Sequence, residues 1–88
     1  MKLNGTFILR QVADEILASP VGKTALQFHG MVLLNGVSRG IWEQLMEQTD
    51  LQTIVAAVTE RFEVPEEQAR EDILEFLQGL KTAGLLEE

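Results

Sequence analysis

The 88-residue sequence contains no cysteine and no tyrosine, and only one histidine, one tryptophan and two prolines. Without cysteine there is neither a disulfide framework nor a thiolate metal site, as is usual in a reducing compartment. No apolar run approaches the roughly 20 residues that a membrane-spanning helix needs. The first residues, MKLNGTF, also lack the apolar core of a signal peptide. We therefore expect a soluble cytoplasmic protein.

Groupings of residues that support catalysis are also missing. The single histidine, His29, stands beside a glycine with no acid or thiol partner, and there is no glycine-rich phosphate loop or metal-ligand spacing. Asp14 and Glu15 are neighbours at a predicted turn rather than an enclosed acid pair. The sequence predicts a protein that is not an enzyme and that binds no metal or cofactor.

Negative charge is concentrated in the second half of the chain. Residues 1–42 carry four Lys or Arg against two acids, whereas residues 43–88 carry three Lys or Arg against twelve acids, and the whole chain has a net charge of -7. Binding to a nucleic-acid backbone depends on clustered Lys and Arg. This distribution therefore disfavours nucleic acid as a partner.

Two amphipathic helices are predicted between residues 49 and 86. Apolar residues of the first recur with helical spacing at Leu51, Ile54, Val55, Val58 and Phe62. Thr49 and Gln52 have the spacing of a capping box at its start. The second begins at Pro65, and its apolar stripe is Ala69, Ile73, Phe76, Leu77 and Leu80. Gly84 is placed to end it in a left-handed turn.

The first half of the chain predicts a small sheet. Thr6–Val12 and Glu15–Ser19 form a hairpin, and Met31–Leu34 is a third strand that is apolar on both faces. Such a strand is either covered twice or left open for a partner. The signals from Lys23 to Gly30 are the weakest in the chain.

A helix from about Gly36 to Gln48 follows, with Asn35 as its N-cap and Trp42 as a core residue in a broad apolar face. Three strands cannot cover three amphipathic helices, so the helices must also pack on one another. The sequence predicts one α+β domain over residues 1–88. It is winged-helix-like, with a three-stranded antiparallel β-sheet followed by a three-helix bundle.

Two stretches, MVLLNGVSRGIWEQL and LQTIVAAVTERFEVPEEQAREDILEFLQGLKTAGLL, resemble the PqqD family. The resemblance includes a strand that ends Leu34-Asn35, a helix that carries Ile41-Trp42, and the phrase Arg61-Phe62-Glu63-Val64. It implies a RiPP recognition element, a peptide chaperone of ribosomal peptide natural-product biosynthesis. Such domains bind the leader segment of a precursor peptide and present it to a modifying enzyme, often a radical SAM enzyme. Pyrroloquinoline quinone (PQQ) biosynthesis is the family's namesake pathway, but these are mostly packing residues and do not single it out.

The resemblance also implies a binding mode, in which the leader adds to the open edge of the third strand and packs on the last helix. Leaders in the family's pathways are commonly acidic with apolar anchors. On the last helix a leucine lies outside the core stripe between the helix's only two cations, which suits such a ligand. The predicted peptide-binding residues are Met31, Val32, Leu33, Leu34, Arg70, Leu74, Leu77 and Lys81.

Several alternatives remain open from the sequence. The same fold could be a DNA-binding module that reads with Pro65–Ala83, although that helix would bring a row of acids to the DNA. The strand edge could instead pair two copies into a structural homodimer. Leu74 could also be an ordinary surface residue, and Arg70 could make only a surface ion pair with Glu66 or Glu67.

Overall fold

The computed structural model describes residues 1–88, which form five β-strands and four α-helices. In chain order the elements are β1 (Lys2–Leu3), β2 (Phe7–Val12), β3 (Glu15–Pro20), α1 (Lys23–Gln27), β4 (Val32–Leu34), α2 (Gly36–Leu45), α3 (Leu51–Phe62), α4 (Glu66–Thr82) and β5 (Leu86–Glu87). The predicted α+β architecture, with a three-stranded sheet and a bundle of three longer helices, is confirmed.

The main sheet is antiparallel, with strand order β2-β3-β4. The predicted hairpin is present, and its turn at Ala13 and Asp14 places Ala13 in the left-handed region at φ 57°. Leu33 of β4 lies opposite Leu17 of β3. Since β4 ends the strand order, one of its two edges has no neighbouring strand.

The core lies between the sheet and the helices, and its largest fully buried side chain is that of Trp42, which is 1% exposed. The ring of Phe7 meets Trp42 edge-on, with centroids 5.1 Å apart. This confirms Trp42 as a core residue. The predicted stripe of α4 is also buried, except that Phe76 is only half-buried.

The N-cap of α3 corrects the prediction. Asp50, not Thr49, precedes the first helical residue, and its Oδ1 accepts a hydrogen bond from the N–H of Thr53 at 2.8 Å. The backbone of Thr49 is held elsewhere, because its N–H donates to the carbonyl of Met1 at 2.8 Å and its carbonyl accepts from the Met1 amino group at 2.7 Å. Thr49 and Asp50 are both residue types that cap helices well. The hydrogen bonds between Thr49 and Met1, 48 residues apart, hold the backbone of Thr49, and Asp50 caps the helix.

The end of α4 agrees with the prediction. Gly84 adopts a left-handed conformation at φ 78°. Its N–H donates to the carbonyl of Lys81, and the N–H of Leu85 donates to the carbonyl of Leu80. This closing pattern satisfies two carbonyls at the helix end and directs the chain into β5.

Other elements also differ from the sequence prediction, and β4 and α4 each begin one residue later than predicted, at Val32 and Glu66. The five-residue helix α1 occupies part of the segment with weak signals. A two-stranded sheet joins β1 to β5, with Leu3 opposite Leu86. Helix α2 ends at Leu45 rather than Gln48. The elements α1, β1 and β5 have two to five residues and are too short for an apolar pattern to repeat, so local sequence does not predict them.

Candidate functional site

A groove of about 810 Å³ opens between β4 and α4. Its lining is mostly apolar and comes from the end of the α1–β4 connection, from β4, from the first turns of α2, and from one side of α4. The lining residues are Phe28, Met31, Val32, Leu33, Asn35, Gly36, Val37, Ser38, Ile41, Asp72, Glu75, Phe76, Gly79, Leu80, Ala83 and Leu85.

The floor of the groove is part of the hydrophobic core. Ile41, Leu80 and Leu85 line it and are at most 4% exposed. On the strand side, Met31 is 58% exposed and Leu33 is 46% exposed. Large apolar side chains with this much exposure are a favourable contact surface for an apolar ligand.

The free edge of β4 forms one border of the groove. Within the main sheet, Val32–Leu34 pairs with β3 alone, and no turn or loop hydrogen bond of the backbone involves these residues. Alternate N–H and C=O groups therefore point outward without a partner. The strand stops where α2 begins, since the N–H of Asn35 donates to Ser38 Oγ at 2.9 Å and fixes the helix start. This edge is available to an added strand.

The opposite wall is one side of α4. Its lining residues have helical spacing, at Asp72, Glu75, Phe76, Gly79 and Ala83. Gly79 lies in the interior of the helix, where glycine costs stability relative to alanine. A Cβ at Gly79 would meet no atom within 4 Å, so packing inside the protein does not require the glycine. Its missing side chain widens the groove.

The only charged residues of the lining are the carboxylates Asp72 and Glu75. Asp72 Oδ1 accepts a hydrogen bond from Gln68 Nε2 at 2.9 Å, and Glu75 has no side-chain hydrogen bond. Neither carboxylate belongs to an ion pair. No group of three or more His, Asp and Glu side chains is arranged to hold a metal ion. The groove is thus apolar at its base and negative on its helical wall.

The structure brings together only part of the predicted site. Met31, Val32 and Leu33 line the groove, whereas Leu34 is fully buried in the core. None of the four predicted residues of α4 lines it.

These four lie elsewhere on α4. Leu77 is buried at 6% exposure, and Leu74 is exposed at 47%. Arg70 lies 3.8 Å from Glu66, and Lys81 lies 3.9 Å from Glu88. A role of this surface in binding stays a prediction, and it is separate from the groove.

The difference has a geometric cause. At about 100° per residue, Arg70, Leu74 and Lys81 centre roughly 120° from Ala69, whereas the groove-lining residues of α4 centre roughly 300° from it. The core stripe of a helix has two borders, and the sequence does not say which border lies beside β4. Gly79 is the sequence signal for the side that lines the groove, because it is a glycine inside a helix and outside the core stripe, where a Cβ would meet no atom within 4 Å.

No helix of the protein is both long enough and apolar enough to cross a bilayer.

The fold is shared with a solved structure, that of TbiB1 in complex with the TbiA(beta) leader peptide. The two superpose with a TM-score of 0.73 and 24% sequence identity, and the match covers 99% of this chain and 95% of that chain. A family profile described as coenzyme PQQ synthesis protein D (PqqD) matches residues 16–86. The chain belongs to the PqqD family. Among curated proteins, none matches the sequence.

Proposed function

We propose that this protein binds the leader segment of a ribosomally made precursor peptide and presents the precursor to a modifying enzyme. The observation that carries the proposal is the open edge of β4 beside an apolar groove. Membership of the PqqD family and the likeness to a structure solved with a leader peptide support it.

Binding by strand addition uses the two features of the groove for different purposes. The outward N–H and C=O groups of β4 give hydrogen bonds that depend little on the peptide's sequence. In an added strand, alternate side chains point to the same face and enter the groove. Apolar ones are buried on Ile41, Leu80 and Phe76, and this contact selects the peptide.

The role requires no chemistry by this protein. Holding the leader at a protein that also contacts the enzyme raises the effective concentration of the precursor's core at the active site. We propose that residues 1–88 act as one unit in the cytoplasm, and that the enzyme is of the radical SAM type.

Two sides of α4 are candidates for contact with the leader. The groove uses the side with Phe76 and Gly79, whereas the wall predicted from the sequence uses Arg70, Leu74 and Lys81. The groove is the better candidate because it adjoins the free edge of β4. An acidic leader would favour the other wall.

The test is titration of the isotope-labelled 88-residue protein with synthetic leaders of the small peptides encoded beside its gene. We expect saturable amide shifts at Val32–Leu34 and along α4 from Asp72 to Ala83. Shifts at Arg70, Leu74 and Lys81 without shifts at Gly79 would support the other wall.

Sedimentation of the same samples gives the oligomeric state. Self-association through β4 that leaders do not disrupt would favour the structural homodimer. A folded monomer that binds none of the neighbouring leaders would contradict the proposal.

A further inference from the structure

The charge on the groove wall restricts the class of peptide that the groove accepts. Asp72 and Glu75 lie three residues apart on the side of α4 that faces the groove, and neither has an ion-pair partner. The cations of α4 lie on the other side of the helix, where Arg70 and Lys81 pair with Glu66 and Glu88. The groove therefore presents negative charge that nothing inside the protein neutralises.

A peptide strand in the groove would remove water from these carboxylates. A like charge in the peptide would then add repulsion to the loss of hydration, whereas a Lys or Arg would offset that loss. The net charge of -7 acts in the same direction at longer range, since it repels acidic peptides and attracts basic ones. An acidic leader is thus poorly matched to this wall.

We propose that the groove selects a leader segment with a Lys or Arg next to its apolar anchors, and this inference rests on the proposed function. Groove-facing positions of an added strand are two residues apart. The segment therefore has apolar side chains at alternate positions, which lie over Ile41 and Leu80. A basic side chain at the next groove-facing position lies against Asp72 and Glu75.

The test is selection from a displayed library of random 12-residue peptides. Three versions of the 88-residue protein serve as bait: the wild type, the double variant Asp72→Asn with Glu75→Gln, and the double variant Glu67→Gln with Glu71→Gln. Each substitution replaces a carboxylate by an amide of about the same size at a position that is not buried. The Glu67 and Glu71 variant is the matched control, since it removes two negative charges from the same helix outside the groove. Thermal unfolding confirms that all three are folded.

We expect the wild type and the control to enrich apolar residues at alternate positions with Lys or Arg two residues away. The variant at Asp72 and Glu75 should keep the apolar pattern and lose the basic residue. For one enriched peptide, replacing its basic residue by Gln should weaken binding to the wild type by about 5-fold in 0.15 M salt. The same replacement should leave binding to the Asp72 and Glu75 variant unchanged.

Two other results have distinct meanings. An apolar pattern with no basic preference, or with an acidic one, overturns the charge selection and leaves the proposed function standing. No enrichment of any strand-like apolar pattern by the folded wild type overturns the proposed function, and the charge selection with it.

Discussion

The two sides of α4 that border its core stripe have opposite characters. One faces β4 and combines the carboxylates of Asp72 and Glu75 with a half-buried Phe76 and the bare backbone of Gly79. The other carries Arg70, Leu74 and Lys81, and both of its cations lie near acids of the same chain. The first side is open and its charges are unpaired, whereas the cations of the second side form weak surface ion pairs.

The comparison shows that composition alone does not locate the groove. A leucine between two cations is chemically more suggestive than a glycine beside two acids, yet the glycine lies opposite the free strand edge. What distinguishes the two sides is the element that each one faces. The following variants test whether that distinction also holds for binding.

The largest effect is expected from filling the groove. Gly79→Trp places an indole at a groove-lining position where a Cβ meets no atom within 4 Å, so we expect the groove to be blocked in a folded chain, which thermal unfolding checks. We expect leader affinity to fall by at least about 30-fold, as for loss of a central contact. The measurement is the dissociation constant of a leader that binds the wild type. Leu74→Trp is the matched control on the other side, and a larger loss from that variant would reverse the comparison.

A smaller substitution at the same position separates stability from binding. Gly79→Ala should raise the free energy of unfolding by roughly 0.5–1 kcal/mol through helix propensity, while weakening leader binding. Gly40→Ala provides the contrast, because a Cβ there would lie 2.7 Å from Phe62 Cε2. That variant should lose roughly 1 kcal/mol of stability through overpacking. Urea unfolding measures the free energy of unfolding of both variants. An equal loss of stability in the two would mean that Gly79 has a structural role.

The pH dependence of stability includes a contribution that belongs to neither side of α4. Hydrogen bonding from Thr53, chiefly from its backbone N–H, holds the pKa of Asp50 below its usual value. A carboxyl whose pKa is lowered in the folded state stabilises the protein at pH values above its unfolded-state pKa. This stabilisation is lost as pH falls through the folded-state pKa.

Asp50→Asn should therefore keep the cap and show a shallower loss of stability below about pH 4. Thermal unfolding between neutral and acidic pH measures this. An unchanged pH profile would mean that the cap does not contribute to acid unfolding. Because this variant lacks the Asp50 carboxyl, a loss of leader binding at acid pH cannot come from loss of that cap and points to the groove.

The smallest effect is expected on the cationic side. Leu74→Glu combined with Arg70→Glu should change leader affinity by less than about 2-fold in 0.15 M salt, where charges outside the groove are largely screened. The same titration measures it, after thermal unfolding has shown that the variant is folded. A loss of 10-fold or more would transfer the site to the side predicted from the sequence.

Much of the fold could be predicted from the sequence, because the three longer helices have repeating apolar patterns and the hairpin strands are rich in residues that suit a pleated surface. Gly84 ended α4 as predicted, and Trp42 is in the core. The pairing of β1 with β5 could not be predicted, since each strand has two residues and pairs with the opposite end of the chain. The strand side of the groove was predicted, because the apolar run Met31–Leu34 indicated an open strand. The helix side could not be predicted, because it depends on how α4 is rotated about its axis relative to β4, which is set by packing.

Strand β4 has only three residues, and this brevity has a kinetic consequence. An added strand can form only a few backbone hydrogen bonds with it, each with a net value of about 1 kcal/mol. If the resulting affinity is about micromolar and association proceeds at roughly 10⁶ M⁻¹ s⁻¹, the complex dissociates about once per second. A leader held in this way would be released on the timescale of slow enzymatic turnover. The protein could then deliver one precursor after another, with no separate step to expel the leader.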